Sequence, residues 1–353
     1  MNKKFKIEEF IPSLIENRKD SLYICAGGFE DRVKGIVDNL QVLNEKVFRY
    51  SLILEYTVHK DDNKTNLNFL DESLKKYSSY LLKNVIIDTE NLLLSRNSLR
   101  DRLKAILQEK FDTIFIDISG MTNFLILLTL KMIHTFFYNK KIVILYTEAK
   151  SYYPKEDEKD AILELAEKRD DESILKLSEQ LQAAGARETV ILADFKGSFR
   201  EDFPIALIFF LGCEPSRAIG LLETYRPNLV IPCYGVSPYE HFKWRTEFSI
   251  ELHKKFGVLE QYPHLRENKI VSIFDISEII NELEGIYTSE IDGRIFYENY
   301  NVAISPQYSK LQAVATYLFS QTHPDVQVIF CLPGRYNPKR YSEGIGKSWS
   351  CEL

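Results

Sequence analysis

The chain has 353 residues, 45% of them hydrophobic and 27% charged, with a formal net charge of −6; this length suggests two domains that can bury a core without staples. The acidic balance argues against a general duplex-binding protein, and no apolar run reaches membrane-spanning length. The basic start lacks the apolar stretch of a signal peptide, and five scattered cysteines without a CxxC pair argue against a disulfide scaffold or a zinc knuckle, so cytoplasmic residence is the expectation.

Residues 1–20 read as a short amphipathic lead-in helix. Strands and helices then alternate. Leu22 to Ala26 is a strand ending in Gly27-Gly28, and Arg32 to Leu40 a helix. Phe48 to Tyr56 is a second strand, followed by a polar loop and a helix from about Leu70 to Leu82. Asn84 to Asp88 is a third strand, Ser98 to Glu109 a helix, and Thr113 to Ile118 a fourth strand ending in Ser119-Gly120. An apolar helix starts at Asn123, and the fifth strand is Lys141 to Tyr146. This alternation implies βαβ units and a parallel sheet, and the near-continuous apolar strands imply that both faces are covered.

Lys155 to Ala186 is rich in Glu, Asp, Lys, Leu and Ala and reads as a solvated helical connection. After a strand at Glu188 to Phe195, the alternation restarts. Strands are expected at Ala206 to Leu211, Leu229 to Cys233, Lys269 to Phe274, Tyr300 to Ser305 and Val326 to Leu332. Helices are expected at Pro215 to Tyr225, Tyr239 to Phe256, Ile276 to Ile286 and Lys310 to Gln321. The expected fold is therefore α/β, with two tandem Rossmann-like halves and mostly parallel sheets. The domains are 1–150, a connection 151–187, and 188–353 with a basic and aromatic tail.

The two series match in order. Gly27 precedes Arg32 by five positions and Gly35 by eight, as Gly212 precedes Arg217 and Gly220. Ser119-Gly120 and Asn123 stand where Ser305-Pro306 and Lys310 stand. Such matches suggest a pseudo-two-fold duplication; turn glycines shared for backbone reasons are the alternative.

Ligands of open parallel sheets bind beyond the carboxyl ends of the strands, where strand order reverses. That rule selects Gly28 and Arg32 after the first strand, Asp117 to Asn123 after the fourth, and Arg217, Ser305 and Lys310 in the second half. Asp117-Ile118-Ser119-Gly120-Met121-Thr122-Asn123 is the sharpest local pattern. A small hydroxyl-rich turn at a helix start offers backbone N–H groups and the positive end of the helix dipole to an anion, although Ser119, Thr122 and Asn123 can equally cap the helix.

This run resembles the Asp-x-(Ser/Thr)-Gly-Gly-Thr-Lys turn of CRISPR-associated Rossmann-fold (CARF) sensors, departing at Met121, where that pattern has Gly, and at Asn123, where Lys is common. The resemblance implies symmetric Rossmann pairs that bind cyclic oligoadenylate in the cleft between them. It also implies a ligand-contacting role for Ser119, Gly120, Thr122 and Asn123, and a setting in prokaryotic antiviral defence. With no HEPN or PD-(D/E)xK effector visible, it implies a separate effector partner.

The run from Gly334 to Lys347 begins at the ligand edge of the sheet. Arg335 and Arg340, with Lys339, can bind phosphates; Tyr336 and Tyr341 can stack on a base, and Asn337 lies between them. The expectation is that this tail covers the cleft and supplies its positive charge, and that the turns at Ser119 and Ser305 face it together. A solvated tail is the plainer reading. Glu30, Asp31, Arg32, Glu148, Glu214 and Arg217 read as Arg–carboxylate locks or acid/base groups. His59, His241 and His264 lack metal-ligand spacing, the glycines do not form GxGxxG, and Cys25, Cys213, Cys233 and Cys331 read as small buried hydrophobes. No cofactor or metal is expected.

Three functions remain: a nucleotide-type sensor, an enzyme acting on a nucleotide or nucleic-acid end, and a scaffold subunit. A homo-oligomer is compatible with each, and neither a membrane nor general duplex DNA is an expected partner.

Overall fold

In the computed structural model, residues 4–16, 18–43, 45–260, 266–291 and 293–353 are described. The first strands are β1 (Ile7–Glu9), β2 (Ser21–Gly27), β3 (Phe48–Tyr56), β4 (Ser78–Leu81), β5 (Val85–Ile87), β6 (Thr113–Asp117), β7 (Lys141–Thr147) and β8 (Ser151–Tyr152). Among them lie α1 (Ser13–Glu16), α2 (Gly35–Asn39), α3 (Lys60–Tyr77), α4 (Leu92–Ala105) and α5 (Asn123–Phe136). The chain continues through α6 (Lys159–Lys168), α7 (Asp171–Gln180), β9 (Ala183–Ile191), β10 (Ile205–Leu211), α8 (Pro215–Tyr225), β11 (Leu229–Val236) and α9 (Trp244–Phe256). Then come β12 (Lys269–Ser272), α10 (Ile276–Tyr287), the small pair β13 (Glu290–Ile291) and β14 (Arg294–Ile295), α11 (Phe296–Asn299), β15 (Asn301–Pro306) and α12 (Lys310–Thr322). It ends with β16 (Gln327–Tyr336), β17 (Ser342–Glu343) and β18 (Ser348–Glu352).

Contacts divide the chain into two units, Met1–Tyr152 with Ser342–Leu353, and Tyr153–Tyr341. The first carries a sheet in the order β1-β18-β7-β6-β2-β3-β4, with β5 also on β3. From β7 to β4 and β5 every pairing is parallel; β18 is antiparallel to β7 and to β1. Side chains of Tyr23, Phe48, Phe115 and Leu145 meet Ile36, Val37, Leu40, Leu70 and Leu74 in one core. The helix α5 is buried along most of its apolar length.

The second unit has the order β12-β11-β10-β15-β16-β9, parallel throughout except for β9 on β16. Its main core joins Leu207, Phe209, Val230 and Ala303 to Ala218, Leu221 and Leu222 of α8. Both units are thus α/β layers around a mostly parallel, Rossmann-like sheet. Among the described residues, no helix is long and apolar enough to cross a membrane.

Several local expectations give way. The lead-in is a short strand and a one-turn helix. The helix α3 starts at Lys60, ten residues before the expected start; its buried face is Asn63, Asn66, Leu70, Leu74 and Tyr77, so its first two turns carry the stripe on polar residues. The helix α4 likewise starts early, at Leu92. The charged segment is not a solvated connection: Ile162, Leu163, Ala166, Leu177 and Leu181 form a core with Cys213, Phe248 and Leu252. The last residues leave the second half, because β18 joins the first unit's sheet.

Candidate functional site

Strand order reverses between β2 and β6 in the first unit and between β10 and β15 in the second. The crevice beyond those carboxyl ends is where a sheet of this kind meets a ligand.

In the first unit the Asp117–Asn123 turn is built as a frame. The Asp117 carboxylate is buried and accepts from the Tyr23 hydroxyl at 2.8 Å, from the Ser119 amide at 2.9 Å and from the Ser119 hydroxyl. The Ser119 oxygen in turn accepts from the Thr147 amide at 2.8 Å. Ser119 is fully buried, so its hydroxyl ties β6 to β7 instead of meeting solvent. Gly120 lies so close to β2 that a Cβ there would overlap the Ala26 carbonyl and the Val33 side chain. Thr122 caps α5 by accepting from the Leu125 amide. The Tyr56 hydroxyl accepts from the Thr122 amide at 2.9 Å and donates to the Gly120 carbonyl. Thr122 and Asn123 remain half-buried at the helix start.

The loop after β2 is held by Asn66, whose amide donates to the carbonyls of Gly28 and Glu30 at 2.9 and 3.1 Å. Arg32, only 6% exposed, donates to the Glu30 carboxylate at 2.8 Å and to the Tyr146 hydroxyl at 3.2 Å, and lies over the rings of Tyr146 and Tyr152. Burial works against its charge, yet Glu30, Tyr146 and Tyr152 together outweigh burial and hold the guanidinium above its ordinary value. The Glu30 carboxylate also accepts from the Ser342 hydroxyl at 2.6 Å.

The second unit repeats the pairing. Arg217, also buried, meets Glu214 and donates twice to the Cys331 carbonyl, at 3.1 and 2.9 Å. Burial opposes its charge, and Glu214 again tips the balance upward. Ser305 is fully buried and accepts from the Gln307 side chain at 3.0 Å. Lys310 opens α12, whose start is closed by a capping box: the Ser309 hydroxyl accepts from the Gln312 amide while the Gln312 side chain accepts from the Ser309 amide. Two amides of that start, those of Ser309 and Gln312, are thereby engaged.

The tail does not act as one piece. Arg335 is exposed on β16, opposite Ala184. The Asn337 side chain donates to the Glu179 carbonyl at 2.9 Å. Arg340 grips Glu158 with two bonds, of 2.7 and 2.9 Å, donates to the Gln180 carbonyl and covers the Tyr153 ring. The Tyr341 ring lies 6.1 Å from that of Tyr336. From Ser342 onward the chain belongs to the first unit, where the Gly344 amide donates to Asp31 and the Trp349 indole to Glu148. Arg340 therefore locks a fold, where the sequence suggested a phosphate ligand. Arg340→Ala is expected to lower the stability of the second unit by about 1–3 kcal/mol, the range for losing charge-assisted bonds. Thermal melting checks it; an unchanged melt with impaired nucleotide binding would return Arg340 to the ligand.

Among the described residues no group of His, Cys, Asp and Glu is placed to hold a metal ion. His59 sits beside Asp62 and His241 against Phe242, while His264 lies outside the described residues. Burial pushes the Cys25 and Cys331 thiols up, and that of Cys233 to about 12. These thiols are packing groups rather than poised nucleophiles.

No family model matches the chain, and no curated protein matches it. A solved type III CRISPR defence DNA nuclease activated by cyclic oligoadenylate aligns over 85% of this chain and 64% of its own, at 8% identity and a TM-score of 0.43. The chain thus spans less than two thirds of that nuclease's length. The cytoplasmic domain of a prokaryotic cation chloride cotransporter aligns over 91% of this chain and 99% of its own, at 9% identity and a TM-score of 0.23.

Sequence reasoning missed Asn66, Tyr56 and Ser342. Asn66 is visible only once α3 is extended backward along its buried face. Tyr56 ends a strand and reads as core until its hydroxyl is seen on the turn. Ser342 carries no local signal at all, since its partner Glu30 is 312 positions away.

Proposed function

We propose that this chain senses a nucleotide-type ligand at the carboxyl edge of its parallel sheets and acts through a separate effector. The setting is the antiviral defence implied by its likeness to CARF turns. The observation that carries the reading is the position and build of the Asp117–Asn123 turn. It stands where strand order reverses, its first half is a buried frame, and its second half is half-buried at the start of a 14-residue helix. The common strand order and the Glu30–Arg32 and Glu214–Arg217 pairs support an internal duplication.

Binding is favoured over catalysis by the state of the carboxylates. A general base must reach the proton it takes, and Glu30, Glu214 and Asp117 are each engaged by a donor of their own unit. Calorimetric titration with cyclic oligoadenylates and linear adenylates, beside mass spectrometry of co-purifying small molecules, tests the reading. Binding without turnover is expected, and Asn123→Ala should weaken it by roughly fivefold to tenfold, as for one lost hydrogen bond. Failure to bind any of them, or turnover of one, would overturn it.

A further inference from the structure

Two glycines of the second unit owe their identity to one ring. Gly212 follows β10, and Gly235 lies near the end of β11. Neither has a positive φ, so backbone conformation does not demand glycine at either place. What demands it is space. A Cβ on Gly212 would overlap the Tyr308 ring, and a Cβ on Gly235 would overlap both that ring and the Ile273 side chain. Tyr308 itself follows β15, in the short connection to α12. The phenol ring thus lies in a slot floored by bare backbone, at the carboxyl ends of β10 and β11 and beside the end of β15. This is the reversal point of the second sheet, where ligands of such sheets bind.

We propose that this slot is a binding site for a planar nucleobase, and that Tyr308 is its built-in plug, which the ligand displaces. That the ring is a nucleobase rests on the nucleotide reading above; that a ring-shaped slot exists does not. Three observations point to a displaceable ring. Tyr308 is only half-buried, unlike the fully buried core tyrosines Tyr23, Tyr234 and Tyr317. It sits in an irregular connection, with only Gln307 and Tyr308 between the strand end at Pro306 and the helix cap at Ser309. The helix behind it is closed by its own capping box, so the ring can leave without unwinding α12. That same cap already engages the Ser309 and Gln312 amides, which favours the flat ring of a nucleotide over its phosphate at this place. With the ring displaced, the bare backbone at Gly212 and Gly235 and the apolar Ile273 side chain leave a flat slot that fits the π-face every base offers.

The test uses the full-length protein with phenol, adenine and AMP as probes, read by calorimetry and by thermal melting. Tyr308→Ala vacates the slot. A site whose open form is a minor population loses affinity in proportion to that fraction, so removing the plug should tighten adenine and AMP by about tenfold or more and create binding of phenol. Tyr308→Leu keeps an apolar group against the glycines; it covers the case in which the alanine variant does not fold, and should give a smaller gain. A folded variant that binds no ring compound, or binds adenine no better than the parent, overturns the slot. Phenol binding to Tyr308→Ala without AMP binding to either protein would leave the slot standing and remove the nucleotide reading.

Discussion

Replacing Glu30 by alanine should destabilise the first unit by about 3–5 kcal/mol, the range for leaving one member of a buried ion pair without its partner. Arg32 is almost fully buried, and its Nε already lacks a partner. Of its two polar contacts, Glu30 carries the opposite charge and Tyr146 offers only a neutral hydroxyl. The substitution also strips the Ser342 hydroxyl of its acceptor. Glu214→Ala in the second unit is the informative contrast. There Arg217 keeps two bonds to the Cys331 carbonyl, so its charge stays partly solvated by the protein, and the loss should be smaller. Urea denaturation, with amide exchange over β2 and β10 to place each effect in its unit, measures both. A loss below about 1 kcal/mol for Glu30→Ala would mean that water reaches Arg32. Replacing both partners by apolar residues of similar volume, Glu30→Leu with Arg32→Met, should recover most of the loss.

The parts of this fold visible in the sequence are those whose side chains obey one local rule. The buried parallel strands β2, β3, β6, β10 and β15 are near-continuous apolar runs, buried along nearly their whole length, and α8 announces itself by Pro215 at its start. Elements that bury polar residues stayed hidden. The first turns of α3 present Asn63 and Asn66 to the interior, and nothing in their spacing separates a satisfied buried amide from a solvated one. Long-range pairing is equally silent. The strand β18 alternates no more strongly than a loop could, and its place between β1 and β7 is set by tertiary contacts. At the candidate turns, the direction of the side chains was not legible in the sequence. Ser119 and Ser305 carry the hydroxyls a ligand would seek, and both point into the core because the neighbouring strand amide or side chain completes them. The partner of Arg340 was hidden for a related reason: a cation that faces a carboxylate 182 positions away is indistinguishable in sequence from one that faces solvent.

Acid should weaken the second unit through His253. The imidazole is 1% exposed, and its Nδ1 lies 2.7 Å from the Ser249 carbonyl. A carbonyl can only accept, so Nδ1 carries the proton of the neutral ring and Nε2 is bare. That nitrogen is buried with no partner, and the ring stands edge-to-face against Tyr234. A second proton would therefore place a charge in an apolar pocket with nothing to receive its N–H. Burial drives the pKa down from 6.5 to about 4, with the Ser249 bond pulling weakly the other way. The folded value is depressed, so on acidification the unfolded chain takes up the proton first. The stability linked to His253 is complete above pH 6.5 and is lost as pH falls from 6.5 towards 4. At 1.36 kcal/mol per unit, the loss over that window is roughly 3 kcal/mol. Carboxylates whose values are lowered, such as Glu158 and Glu352, start from 4.5 and contribute mainly below the window. Urea midpoints of the parent should fall steadily between pH 6.5 and 4.5, while His253→Gln, which keeps a donor for Ser249 but cannot titrate, should start lower and stay nearly flat. Parallel pH profiles for the two proteins would show that this histidine does not govern the acid response.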